Sequence, residues 1–153
     1  MPPENLLKGA LCGFVAGVAA TIAKTVWEDY FPVRDEDTDS PPAKIAQQLT
    51  ERTLTDKEID QASLGIHVTF GVGTGVAYGA AGELAPEITS GLGFPFGLGF
   101  YALTHGSVVP AIDLEPWPTE VKPAYAVNEF VGHFVYALTL EAVRLGMRKY
   151  VLQ

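Results

Sequence analysis

The residues best suited to chemistry in this 153-residue chain are its three histidines, His67, His105 and His133, and one acid, Glu129, four residues before the third histidine. Imidazole nitrogens and a carboxylate are ligands that Zn²⁺ and Fe²⁺ accept. Histidine also titrates near neutral pH, so the same groups can carry protons. All four lie inside long apolar segments, where an ionisable side chain is rare and indicates a function.

Four apolar segments make up most of the chain, at residues 6–27, 62–84, 90–112 and 124–145. Each is close to the ~20 residues that span the hydrocarbon core of a bilayer. Their many glycines would destabilise soluble helices by ~1 kcal/mol each relative to alanine, whereas glycines let membrane helices pack closely. The sequence therefore predicts an all-α fold, with residues 1–153 forming one transmembrane domain: an integral membrane four-helix bundle surrounded by the lipid bilayer.

The connections between the segments differ in length and charge. The long loop 28–61 carries ten acids and four bases. Within it, residues 41–54 predict a short helix, and Thr55 with Glu58 forms a capping box that can start a helix running into the second segment. Residues 85–89 join the second and third segments directly, which predicts a tight helical hairpin.

With four spans, the long acidic loop and the Pro-rich connection 113–123 must lie on one side of the bundle, which we call the loop face. At the helical rise per residue, the three histidines and Glu129 all lie roughly 8–13 Å from that face. Lys24 and Glu28, four residues apart at the end of the first segment, reach the same face and are candidates for an ion pair or a gate. The sequence thus predicts that these groups converge on one interior site.

Three functions suit such a site. Histidines from three helices with Glu129 can bind Zn²⁺ or Fe²⁺, or two of the histidines can hold a haem iron. Alternatively, the layer handles protons or a small solute. In the third interpretation the histidines only join helices, and the protein is an accessory subunit of a larger membrane complex. No phosphate loop, nucleophile elbow or dinucleotide fingerprint is present, so the sequence does not favour an enzyme.

Composition excludes several other classes of protein. Charged residues amount to only 18%, against about 25% in soluble domains. A net charge of −8 and a pI near 4.7 argue against a nucleic-acid partner. The single cysteine, Cys12, excludes an intrachain disulfide. A soluble all-β fold is the alternative to the helical bundle, but the period-two alternation it requires is absent.

Further patterns bear on association and orientation. Gly9, Gly13 and Gly17 are spaced by four and predict packing against a second copy of the chain or a larger complex. Glu141 and Arg144 are expected to form an interfacial ion pair. Lysines and arginines are densest next to the two chain ends, which predicts that both termini are cytoplasmic.

Several longer motifs carry a resemblance to a known family. They are IHVTFG and AYGAAGELAP in the second segment, THGSVVPAIDLEPW in the third, and NEFVGHFVYALTLEAVR in the fourth; AKTVWEDYFPVR at the end of the first is a weaker match. On these motifs the chain resembles the YagU family of small inner-membrane proteins, whose biochemical function is undefined.

The resemblance implies a multi-pass protein of the inner (plasma) membrane. It also implies that His67, His105, His133 and Glu129 stand at positions where the family carries histidines and an acid. The acidic run Asp35–Asp39 departs from the family pattern, so no role for the long loop follows from the resemblance.

Overall fold

A computed structural model describes residues 3–32, 39–50 and 52–150 of the chain. The described residues form helices and connections, with no β-strand among them. This confirms the all-α prediction. Residues 33–38 and 51 lie outside the described residues, and with them most of the acidic run predicted at Asp35–Asp39.

Six α-helices are found in the described part of the chain. They are α1 Pro3–Tyr30, α2 Pro41–Gln48, α3 Asp56–Leu84, α4 Ser90–Leu103, α5 Val109–Ala111 and α6 Pro123–Tyr150. A 3₁₀ turn, Pro86–Thr89, joins α3 to α4, and a π-helical turn, Thr104–Val108, joins α4 to α5. The four longest helices, α1, α3, α4 and α6, pack together and place the functional groups.

The start of α3 follows from its sequence. The Thr55 hydroxyl accepts from the Glu58 amide, and the Glu58 carboxylate accepts from the Thr55 amide, so the predicted capping box is present. Arg52 also donates to Glu58, with Nη2 2.6 Å from Oε1. The Arg52 guanidinium and the Thr55 donors lower the pKa of Glu58 to about 2. From this cap α3 runs without interruption into the second apolar segment, as predicted.

The third apolar segment, expected to be one span over 90–112, is broken into shorter pieces. Gly91, Leu92 and Gly93 have left-handed φ angles of 55°, 56° and 77°, so regular helix starts only after them. Pro95 then stands in the first turn, where its missing N–H is tolerated. The break therefore precedes the proline instead of forming at it. The π turn interrupts the segment a second time, immediately around His105.

The closest helix contact joins α1 to α3. A Cβ built on Gly9 would lie 2.5 Å from the Gly79 carbonyl oxygen, and one built on Gly75 would lie 2.5 Å from the Gly13 carbonyl oxygen. The two glycine stripes thus pack against each other within one chain, because backbones approach most closely where both helices lack side chains. Within the chain the α1 stripe thus faces α3, and the association of the chain with a second copy or a larger complex stays a prediction.

The predicted hairpin of α3 and α4 has the expected short connection but is not tightly packed along its backbones. The two helices meet mainly through aromatic rings, with centroids 4.5 Å apart for Tyr78 and Phe96 and 5.9 Å for Phe70 and Phe100. Close backbone packing of α4 is instead with α6, where a Cβ on Gly97 would lie 2.9 Å from that of Ala137.

Many large apolar side chains are exposed, while several charged ones are buried. Exposed examples on α1 include Leu7, Phe14 and Ile22. By length and composition, α1 over Glu4–Tyr30 is the one helix among the described residues that qualifies to cross a membrane, a test that core helices and signal sequences also pass. The regular part of the third segment is too short for that test because the segment is broken.

Candidate functional site

Four chain segments meet at the loop face of the structure. They are the end of α1, the start of α3, the π turn after α4 and the start of α6. The beginning of α1 and the ends of α3 and α6 meet at the opposite side, which we call the terminal face. Each face holds a group of buried charged side chains.

At the loop face the structure brings together three of the four predicted metal ligands. His105, Glu129 and His133 each offer one ligand atom, and these atoms all lie within 4.8 Å of one another. Glu129 and His133 are one turn apart on α6, and both are buried. His105 comes from the π turn, a type of distortion often found at functional sites.

His67, the fourth predicted ligand, is not part of this set. Its Nε2 lies 3.5 Å from Thr25 Oγ1, in a half-buried position between α3 and α1. His67 lies four residues before Gly71, on the side of α3 that carries Gly71, Gly75 and Gly79, and that side packs against α1. The imidazole therefore contacts α1 and stands outside the group of three ligand atoms.

The Nδ1 contacts of the two remaining histidines indicate which ring nitrogen would bind an ion. His133 Nδ1 donates to the Glu129 backbone oxygen at 2.7 Å, and His105 Nδ1 contacts the Glu115 carboxylate. A carbonyl or carboxylate oxygen only accepts, so each Nδ1 carries the proton. The Nε2 atoms are therefore the ones that would bind an ion: that of His105 lies 3.5 Å from Glu129 Oε2, and that of His133 lies 3.3 Å from Thr104 Oγ1. Metal-binding histidines commonly have this arrangement.

Glu115 belongs to this site, although the sequence did not single it out. Its carboxylate is 7% exposed and accepts from the Tyr125 hydroxyl at 3.1 Å as well as contacting His105. The neighbouring Leu114 is buried and fixes the connection to the helices. The only signal was an acid ten residues after His105 in a connection that returns to the loop face.

The predicted ion pair of Lys24 and Glu28 is present and extends into the site. Lys24 Nζ contacts Glu28 and also lies 3.5 Å from Glu129 Oε2. We call Lys24, Glu28, His105, Glu115, Glu129 and His133 the loop-face cluster. Its three carboxylates face one ammonium, so before the histidines are counted the cluster has two more acidic than basic side chains.

A small cavity adjoins this cluster beside His105, Glu115 and Glu129. Its volume is about 10 Å³, which is room for one water-sized sphere. The rings of His105 and His133 are 4.9 Å apart between centroids and nearly perpendicular. A haem would have to fit between two axial rings, so this pair of histidines does not suit a haem, whereas its ligand atoms are close enough to share a single ion.

A second group of buried charges lies at the terminal face. Arg144 donates to both oxygens of Glu141 at 2.7 and 2.9 Å, and the Tyr78 hydroxyl donates to Glu141 Oε2 at 2.9 Å. Arg148 donates to both oxygens of Glu83 at 2.8 Å. We call these five residues the terminal-face cluster. The expected pair of Glu141 and Arg144 thus forms, but it is buried instead of interfacial.

Comparison with known proteins gives a family but no activity. No curated protein and no solved structure matches the chain significantly. A family model described as "Protein of unknown function (DUF1440)" matches residues 18–142, a range that contains the whole loop-face cluster. The match says nothing about a membrane or about the YagU resemblance. Because it covers well over half of the sequence, the chain belongs to the DUF1440 family of proteins of unknown function.

Proposed function

We propose that this chain is a multi-pass membrane protein that binds one divalent transition metal ion, Zn²⁺ or Fe²⁺, through His105, Glu129 and His133. The observation that carries the proposal is the geometry of these three ligands. Their ligand atoms lie within 4.8 Å of one another, and each imidazole is oriented by an acceptor on its Nδ1. Two histidines and one carboxylate are a ligand set that both metals use.

The charge of the loop-face cluster supports a divalent ion. Glu28, Glu115 and Glu129 together carry two more negative charges than Lys24 compensates, and Glu115 and Glu129 are almost completely buried. Buried charges without compensation are costly, and more so inside a membrane. One divalent cation would make the cluster neutral while the imidazoles stay uncharged.

The cavity supports an ion with an open coordination position. Three protein ligands leave at least one position of a tetrahedral zinc site free, and catalytic zinc sites fill it with water. The cavity beside His105 and Glu129 has room for about one water molecule. A bound ion would therefore keep an exchangeable ligand on the side of the Pro-rich connection.

The distribution of polar and apolar side chains supports the membrane part of the proposal. Charged residues such as Glu129, Glu141 and Arg144 are buried, while leucine and phenylalanine side chains on α1, α3 and α4 are exposed. This is the arrangement expected of a bundle whose surroundings are lipid. We place it in the inner (plasma) membrane with both termini cytoplasmic, following the clustering of basic residues near the chain ends.

Elemental analysis of the purified protein, followed by Zn²⁺ titration of the metal-free form, tests metal binding. We expect about one ion per chain. His133→Ala should lose most of it, since a zinc site with one of three protein ligands removed is incomplete. The matched control is Glu141→Gln, a buried glutamate of α6 at the terminal face, which should keep the ion. Failure of the wild-type protein to bind Zn²⁺, Fe²⁺ or a substitute such as Co²⁺ would contradict the proposal.

Cysteine labelling tests the membrane part independently. Single cysteines at Glu87, in the α3–α4 turn, and at Asp113, at the loop face, are introduced into a Cys12→Ala background. In intact cells an impermeant thiol reagent should label Asp113→Cys, and Glu87→Cys should react only after the membrane is opened. Equal labelling of both positions from one side contradicts the topology.

A second candidate function is proton handling, favoured by one specific observation. Glu28, Lys24, Glu129, His105 and Glu115 form an unbroken series of contacts from a half-exposed carboxylate into the bundle. Such a series can pass protons without a metal. Purified protein that contains no metal, but loses proton flux in vesicles on Glu129→Gln, would favour this function over metal binding.

A further inference from the structure

We infer that Lys24 is a built-in counter-cation of the metal site, whose ammonium leaves Glu129 and pairs with Glu28 alone when a metal ion binds. The inference rests on the proposed metal site and adds a means of loading and unloading it. The observation behind it is that one ammonium is shared by two carboxylates, one of which is a metal ligand. Lys24 Nζ contacts Glu28 and lies 3.5 Å from Glu129 Oε2.

The two carboxylates differ in position in the way that such an exchange requires. Glu28 is one turn further along α1 than Lys24, and its side chain is 32% exposed, against 5% for Glu129. The lysine can therefore stay paired with Glu28 while its ammonium moves outward by rotation about its stem. This movement needs no change in the backbone of α1, and Lys24 keeps its ion pair with Glu28 throughout.

The path of the lysine side chain across α6 is kept open by a glycine. A Cβ built on Gly132 would lie 3.6 Å from Lys24 Cε and 3.8 Å from Nζ. The end of the lysine therefore lies directly against the α6 backbone, between Glu129 and His133 in the sequence. These distances admit a Cβ, but a side chain larger than that of alanine would occupy the space that the ammonium needs in order to reach Glu129.

Electrostatics makes simultaneous occupancy unfavourable. A metal ion on Glu129 and an ammonium 3–4 Å from the same carboxylate would repel strongly in a site screened from water. Without metal, however, the buried Glu129 needs a cation, and Lys24 supplies one. The two cations thus alternate at Glu129, and its charge is balanced both with and without metal.

The Zn²⁺ affinities of four variants test the exchange. They are measured on full-length protein in detergent by competition with a chromophoric chelator. Lys24→Met should bind Zn²⁺ about 5- to 150-fold more tightly, the range of a typical coupling free energy. Lys24→Arg should bind it more weakly than wild type, since a guanidinium forms a two-point pair with a carboxylate. Glu28→Gln should also bind it more weakly, because Lys24 loses its alternative partner.

The fourth variant controls for long-range charge effects. Lys122→Met removes a lysine charge from an exposed position before α6, so its affinity should match wild type. Long-range electrostatics alone predicts that Lys24→Arg also matches wild type, whereas the exchange predicts a loss. If Lys24→Met unfolds without metal, purification in Zn²⁺ should rescue it, since the ion replaces the lost cation. Lys24→Gln provides a second neutral variant.

The outcomes separate this inference from the proposed function. If wild-type protein binds no Zn²⁺, the metal site itself is wrong, and this inference is overturned with it. If wild-type protein binds Zn²⁺ but Lys24→Met and Lys24→Gln bind it no more tightly, the exchange alone is overturned. An affinity of Lys24→Arg equal to that of wild type also overturns the exchange and leaves the metal site standing.

Discussion

The two ends of the helical bundle each bury a group of charged side chains, and the two groups are built differently. In the terminal-face cluster each arginine holds both oxygens of one glutamate, at 2.7–2.9 Å. In the loop-face cluster Glu129 has single-point contacts of 3.5 Å with Lys24 and with His105. In the terminal-face cluster both oxygens of each glutamate therefore accept close hydrogen bonds. In the loop-face cluster the longer contacts leave room for an ion between the side chains.

The two clusters also differ in their balance of acidic and basic side chains. The terminal-face cluster balances Glu83 and Glu141 with two arginines and is neutral. The loop-face cluster has more acid than base and contains imidazoles, which bind metals, in place of guanidinium groups, which do not. Charged residues buried in a bundle thus need not share a role. The comparison supports a structural clamp at one face and the proposed metal site at the other.

The largest effect expected from this comparison is on stability, at the terminal face. Glu141→Leu leaves Arg144 buried without its main partner, and breaking a buried ion pair costs about 3–5 kcal/mol. We expect that loss in the free energy of unfolding, measured in mild detergent, with Zn²⁺ binding by the folded fraction unchanged. The double variant Glu141→Leu, Arg144→Leu should recover most of the loss, because no uncompensated charge remains. A single variant as stable as wild type would contradict the clamp.

A smaller effect is expected at the loop face, on affinity instead of folding. Glu115→Gln weakens the acceptor that fixes the proton on His105 Nδ1, and loss of such a partner lowers metal affinity about 10- to 100-fold. Glu120→Gln, an exposed glutamate of the same connection, is the matched control and should bind Zn²⁺ like wild type. With Co²⁺ in the site, the visible spectrum should change for Glu115→Gln only. An unchanged affinity and spectrum would show that Glu115 does not position His105.

Local sequence signals predicted much of the fold. The capping box of Thr55 and Glu58 correctly placed the start of α3, and the helical spacing of Glu129 and His133 correctly put them on one side of α6. Such features depend on residues three or four apart, which the helix itself brings together. The sequence did not predict the breaks in segment 90–112. They depend on left-handed backbone at Gly91–Gly93 and on a π turn, and hydropathy indicates neither.

Contacts between distant residues were predictable only in part. The sequence placed His105 and Glu129 at one depth, and the structure brings them together. It gave no indication that Glu83 pairs with Arg148, 65 residues later, or that Glu115 returns to His105. The glycine stripe of α1 was recognised, but not that it packs against the glycines of α3. Since depth is set by position along a helix and partners are set by packing, the sequence could predict the first more readily than the second.

The smallest expected effect concerns His67, and it decides how far the loop-face cluster extends. The sequence groups His67 with the metal ligands, whereas in the structure its Nε2 lies beside Thr25 and outside the three-ligand set. His67→Ala should therefore change Zn²⁺ affinity by no more than about twofold, the range of substitutions away from specific interactions. His133→Ala is the comparison, since it removes a ligand outright. Equal losses of Zn²⁺ in the two variants would mean that α3 moves to bring His67 to the ion, and that the four-ligand site predicted from the sequence forms only when metal is bound.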